Sequence, residues 1–185
     1  ASLRRAFLTD ANLTTADARR AHFDEASGQR TIFSRARLDA VTAVGAKFDT
    51  ADFTEAQLDG ANFDDALLPE LRAYEVSAED ATFLRSTMQN ARFDGAVVSR
   101  ARFDGAQAED SMWDRAVLDG ASFDAARLTG ASFTKASLRG SNLSHAELAE
   151  ARFNRANLTG ARFVGVDMAH LTLDGADMTG LVTGD

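Results

Sequence analysis

Large apolar residues recur along this chain every five positions, from Leu3 to Met178, without an insertion or deletion. Of the 37 positions 3, 8, 13 and onward to 183, 30 carry Leu, Phe, Met, Val or Trp, and two residues before them 27 of 37 are Ala. A helix turns about 100° per residue, so a step of five leaves no persistent apolar stripe, and heptads and amphipathic helices are excluded. Pairs such as Ala61/Phe63 and Ala131/Phe133 keep the two-residue alternation of a strand. The next inward residue comes three positions on, so the backbone must turn a corner in every pentapeptide. Numbering each unit from its alanine, 11 of the 13 glycines fall at the fifth position, Gly60, Gly95 and Gly120 among them. A corner that demands unusual φ is where glycine belongs. A short fixed period predicts a solenoid.

Phenylalanine sets the circumference. Eleven of the 12 Phe residues at third positions fall on a ten-residue grid, with Trp113, and Phe48 alone falls on the alternate grid. A period of ten requires an even number of sides, and two sides enclose no core. Four sides and a 20-residue turn follow. Phe23, Phe63, Phe83, Phe103, Phe123 and Phe163 are then expected to stack on one wall, and Phe33, Phe53, Phe93, Trp113, Phe133 and Phe153 on the opposite one. At Val41/Ala43, Leu71/Ala73 and Val76/Ala78 the large residue has moved to the alanine site and Ala fills the third position, which conserves core volume. Pro69, the single proline, lies among these swaps. Because proline removes a ladder donor, a bend or local disorder is expected near 66–80 within one domain of residues 1–185.

Composition narrows the chemistry. No cysteine is present, which excludes disulfides and thiolate metal sites and fits a reducing cytoplasm. The first residues lack a signal-peptide apolar run, and nowhere is a stretch long enough to span a bilayer, so no membrane association is expected. A net charge of −8 argues against direct binding of nucleic acid. His22, His145 and His170 lie in different columns, no catalytic motif occurs, and no enzymatic activity, cofactor or metal is expected. The Asp-Gly pairs, such as Asp59-Gly60 and Asp104-Gly105, lack the nonapeptide of calcium-binding coils and read as turn chemistry.

The repeated A-(D/N/x)-(L/F)-x-x unit resembles that of the pentapeptide-repeat family over nearly the whole chain. The resemblance implies an all-β fold, a right-handed quadrilateral β-helix of about nine four-sided coils. In length and acidity the chain is similar to the topoisomerase-protecting members. These mimic DNA, bind DNA gyrase or topoisomerase IV and confer resistance to fluoroquinolones or other poisons. The uninterrupted phase resembles the mycobacterial type more than the Qnr type, whose loops break the repeat.

Charge distribution bears on that expectation. Residues 39–124 hold 18 of the 28 acids and seven bases, a net −11, and the remainder is +3. On a 20-residue coil Asp39, Asp59, Glu79 and Asp119 share one outward column, interrupted by Ser99, and Asp24, Asp64, Asp104 and Asp124 another. Like charges on neighbouring rungs repel, so these eight residues are the candidate face for a DNA-binding partner. Asp bonding its own corner backbone is the competing explanation, and a scaffold with no topoisomerase partner the competing function. At the C-terminal end, 166–185, Leu171, Leu173, Met178, Leu181 and Val182 are the candidate contacts of a homodimer, an arrangement that the resemblance implies, with a hydrophobic cap on a monomer as the alternative. Arginines at 4, 5, 19 and 20 blunt the other end, with Phe7 expected to fold over it.

Overall fold

A computed structural model describes residues 1–184. The chain is built from parallel β-bridges between residues 20 apart, beginning at Ser2↔His22 and recurring every five residues, with one gap, to Asn157↔Asp177. Two of these contacts lengthen into strands, β1 (Arg162–Val164) and β2 (Val182–Gly184), paired parallel in the same register, Arg162↔Val182. Turns occupy the fourth and fifth positions of each unit, so one 20-residue circuit contains four of them.

Each backbone group has a fixed task. The second-position N–H donates to the preceding coil and the third-position N–H to the following one, as in His22 N to Ala1 O at 3.0 Å and Leu3 N to His22 O at 2.7 Å. The first-position N–H closes the turn, Ala6 to Leu3 O at 3.1 Å, and the fifth-position N–H bonds the next coil, Arg5 to Asp24 O at 2.9 Å. The fourth-position N–H has no backbone acceptor. The fifth position is left-handed whether or not it is glycine: Ala125 has φ 55° and Arg115 φ 61°. Glycine at this site was readable from sequence, whereas its replacement by 24 other residues shows that the ladder outweighs a local cost of about 1–2 kcal/mol at each.

First- and third-position side chains fill the interior, and Ala26, Phe103, Trp113 and Leu158 are fully buried. The rings stack along two walls, Phe63–Phe83 at 5.3 Å and Phe133–Phe153 at 4.9 Å between centroids. Across the core they meet edge to face, as Phe123 and Phe133 do at 5.9 Å and 85°. Phe48 stands on the alternate grid because Gly28, one coil below, leaves room: a Cβ on Gly28 would lie 2.5 Å from its ring. The three size swaps keep their volume, with Val41, Ala43, Leu71, Ala73, Val76 and Ala78 all buried.

The bend or disorder expected near 66–80 is not observed. Leu67↔Thr87, Arg72↔Arg92 and Ser77↔Val97 pair without a break. Pro69 sits at the fourth position, the one whose N–H the ladder does not use, and its carbonyl still accepts from Thr50 N at 2.9 Å. Among the described residues the interruption falls instead at 166–170. The bridge Glu147↔Asp167 is missing from the series, and His170 is the one fifth-position residue between 5 and 180 without a positive φ. Val166 stands at the alanine site of this unit with Met168 at the third position, both half-buried. Phe7 does not cover the N-terminal end; it pairs with Ser27 and points outward, 90% exposed.

Candidate partner-binding surface

The 20-residue register places Asp39, Asp59, Glu79 and Asp119 in one column and Asp24, Asp64, Asp104 and Asp124 in another. Most of these carboxylates also serve the backbone. Asp59 Oδ1 accepts the fourth-position N–H of Glu79 at 2.9 Å and the Ser77 hydroxyl at 2.7 Å. Asp64 accepts Leu84 N–H at 2.9 Å, and Asp119 accepts Arg139 N–H at 3.1 Å together with the Ser137 hydroxyl. Asp24 holds Val44 N–H at 3.1 Å and Thr42 Oγ1 at 3.0 Å, and Asp104 holds Asp124 N–H at 3.2 Å and the Ser122 hydroxyl. Asp114, outside both columns, does the same for Thr134 and Ser132. The orphan N–H of one coil is thus satisfied by a carboxylate on the coil before it.

Sequence reasoning foresaw Asp bonding to corner backbone but placed the bond within its own turn. It missed the spacing that identifies the motif, an Asp at the fourth position followed by Ser or Thr 18 residues later. Where no such Asp exists, an Asn or Asp at the second position caps its own turn, as Asn62 caps Asp64 N–H at 2.8 Å.

Neutralisation of the eight residues is uneven. Arg4 pairs with Asp24 at 3.0 Å, Arg100 with Glu79 at 2.8 Å and Arg102 with Asp104 at 2.8 Å, while Asp124 shares a hydrogen bond of 2.9 Å with His145 Nδ1. Asp39, Asp59, Asp64 and Asp119 make no ion pair among the described residues, and the last three bond through Oδ1 while Oδ2 stays open. Burial opposes ionisation of Asp24, but bonds from Thr42, Val44 N–H and Arg4 outweigh it and leave its carboxyl below the usual range. Elsewhere, bonds from arginines 20 residues away hold down Asp10, Asp65 and Asp80.

At the C-terminal end Leu171, Leu173 and Leu181 are half-buried, and Met178 and Val182 are exposed. They lie on or beside the last described coil. Among the described residues no three His, Asp or Glu side chains are grouped as a metal site requires. No helix is long and apolar enough to cross a membrane.

A parallel β solenoid of five-residue units with carboxylates stacked on its outer corners defines a class of repeat protein. The chain belongs to the pentapeptide-repeat family: a model described as a pentapeptide repeat region matches residues 106–181, and one of pentapeptide repeats in eight copies matches 31–68. No curated protein matches the chain in sequence. Among solved structures it is similar to HetL, a pentapeptide repeat protein involved in heterocyst differentiation regulation from the cyanobacterium Nostoc sp. strain PCC 7120. The identity is 24% over 97% of this chain and 89% of that one, with a TM-score of 0.54. It is also similar to full-length QnrB1, a plasmid-mediated fluoroquinolone resistance protein, at 18% identity over 96% and 91% of the two chains and a TM-score of 0.57. At these identities the likeness establishes the fold.

Proposed function

We propose that this chain is a non-enzymatic binding protein, a right-handed quadrilateral β-helix of about nine coils that imitates DNA. It presents the carboxylates of its middle coils to a bacterial type II topoisomerase, DNA gyrase or topoisomerase IV, and protects that enzyme from inhibitors in the cytoplasm. The observation that carries this reading is the open Asp39–Asp59 pair on adjacent coils with Asp119 three coils further on in the same column, a column interrupted by Ser99, in a segment of net −11. A DNA-binding surface selects for an ordered row of negative charge. The fold shared with QnrB1, whose name records fluoroquinolone resistance, supports the choice of partner. Two copies joined through Leu171, Leu173, Met178, Leu181 and Val182 would double the length of the rod and cover the last coil.

Supercoiling by purified gyrase, with and without a fluoroquinolone, is the test. Inhibition or drug protection at micromolar protein is expected, weakening as salt rises; no effect at that concentration rejects the reading.

One observation favours a second reading, a scaffold without a topoisomerase partner. Five of the eight candidate carboxylates hold a backbone N–H of the next coil, a role that would retain them for stability alone. On that reading Asp59→Asn preserves every function of the protein.

A further inference from the structure

Fifth-position side chains on neighbouring coils usually pair opposite charges: Arg5 with Glu25 at 2.8 Å, Arg35 with Glu55 at 2.9 Å and Arg85 with Asp65 at 2.8 Å. One column breaks the rule. Arg115, Lys135 and Arg155 occupy three successive coils, all exposed, and no carboxylate pairs with any of them among the described residues. The nearest sequence neighbour of opposite sign, Asp114, has its Oδ1 committed to Ser132 and Thr134 N–H. Like charges on adjacent rungs cost stability, and the fold's ordinary remedy, an acid in the middle coil, is absent.

We propose that this cationic column is a docking surface for a short acidic peptide segment of a partner protein. Charge complementarity sets the sign of the occupant, and the column itself sets its length. Three rungs at about 4.8 Å span about 10 Å, the reach of three or four extended residues. Earlier in the same column stand Gly95 and then Glu75, so a longer polyanion such as a nucleic-acid strand would run from the three cations toward a carboxylate. Beyond Arg115 the adjoining wall carries Val97 and Val117 on paired rungs, 36% and 37% exposed, followed by Ser137 and Asn157, with no charge on four coils. An occupant with alternating acidic and apolar side chains sets carboxylates on the cations and an aliphatic group on Val117. The surface lies in the C-terminal half; Asp119 of the acidic column stands two residues past Val117 at the far corner of the same wall, whereas Asp39 and Asp59 lie three or more coils earlier, and the peptide site does not depend on topoisomerase binding.

Fluorescence anisotropy with a labelled heptapeptide of alternating glutamate and leucine tests this on the full chain. Saturable binding is expected, weakened about tenfold or more by the triple variant Arg115→Glu/Lys135→Glu/Arg155→Glu. The variant Asp39→Asn/Asp59→Asn, which removes charge three or more coils away, should leave it unchanged, so loss of gyrase activity and loss of peptide binding are separable. Circular dichroism verifies that the triple variant folds; should it unfold, Lys135→Gln, which removes one charge and adds no repulsion, is expected to weaken binding about threefold. Absence of saturable binding, equal binding by the charge variants, or tighter binding of a single-stranded oligothymidylate of 12 nucleotides overturns the proposal.

Discussion

Asp59 Oδ1 accepts the N–H of Glu79 on the next coil at 2.9 Å, so an acid of the candidate partner surface is also a clasp between coils. Asparagine keeps that acceptor and removes the charge; alanine removes both. Asp59→Asn should therefore melt close to the parent, and Asp59→Ala about 1 kcal/mol lower in stability. If the charge is what a topoisomerase reads, both should lose inhibition alike. Equal stability of the two variants in urea titrations would contradict the clasp.

Trp113 donates its indole N–H to Ser111 Oγ at 2.7 Å inside the core, both residues being fully buried. Ser111→Ala should cost about 1–3 kcal/mol by stranding that donor. In a Trp113→Phe background the same change should cost far less, and a double-mutant cycle measures the difference.

Gly28 and Phe48 share one volume, so Gly28→Ala should destabilise by about 1–3 kcal/mol through overpacking. Phe48→Leu, itself destabilising through lost packing, should absorb part of that penalty, the rest coming from Thr31 Oγ1, which such a Cβ would also crowd. Additive losses in thermal melts would show that the two sites do not compete for space.

Ala125 holds a left-handed backbone at φ 55° with its side chain exposed. Ala125→Gly should raise stability by about 0.5–1 kcal/mol, the relief of the left-handed cost exceeding the entropy lost by glycine. An unchanged or lowered melting temperature would refute this.

Acid should loosen the rod. Bonds from Arg19 pull the Asp17 carboxyl from its ordinary 3.8 down to about 2, and Glu25 lies below its ordinary 4.5 beside Arg5. Folded values below unfolded ones mean stability that is fully present above about 4.5 and is lost as pH falls through the folded values toward 2. A melting temperature that declines across this window, less steeply at high salt, is expected. A flat profile would show that these exposed pairs add nothing.

Some of this was legible in the residues and some was not, for identifiable reasons. Phe63 and Phe83 could be set on one wall because volume at a period of 20 is written directly in the sequence. Pro69 was misread because a proline's cost depends on whether its N–H is used, and only the ladder reveals that the fourth-position N–H is spare. The gap at 166–170 could not be read from side-chain size, because Val166/Met168 and Leu171/Leu173 are both large at the first and third positions and only the first unit loses its bridge. Asp119 was placed in its column correctly, but its tie to Arg139 N–H joins residues 20 apart and belongs to no local motif.

The sequence by itself determined the circumference, the inward residues and the corners, because size and backbone freedom at a fixed period act one residue at a time. Tertiary structure decided which carboxylates clasp a neighbouring coil, which are neutralised and which face solvent open. Those outcomes depend on what the next coil presents about 4.8 Å away, and neither partner of such a contact carries that information alone.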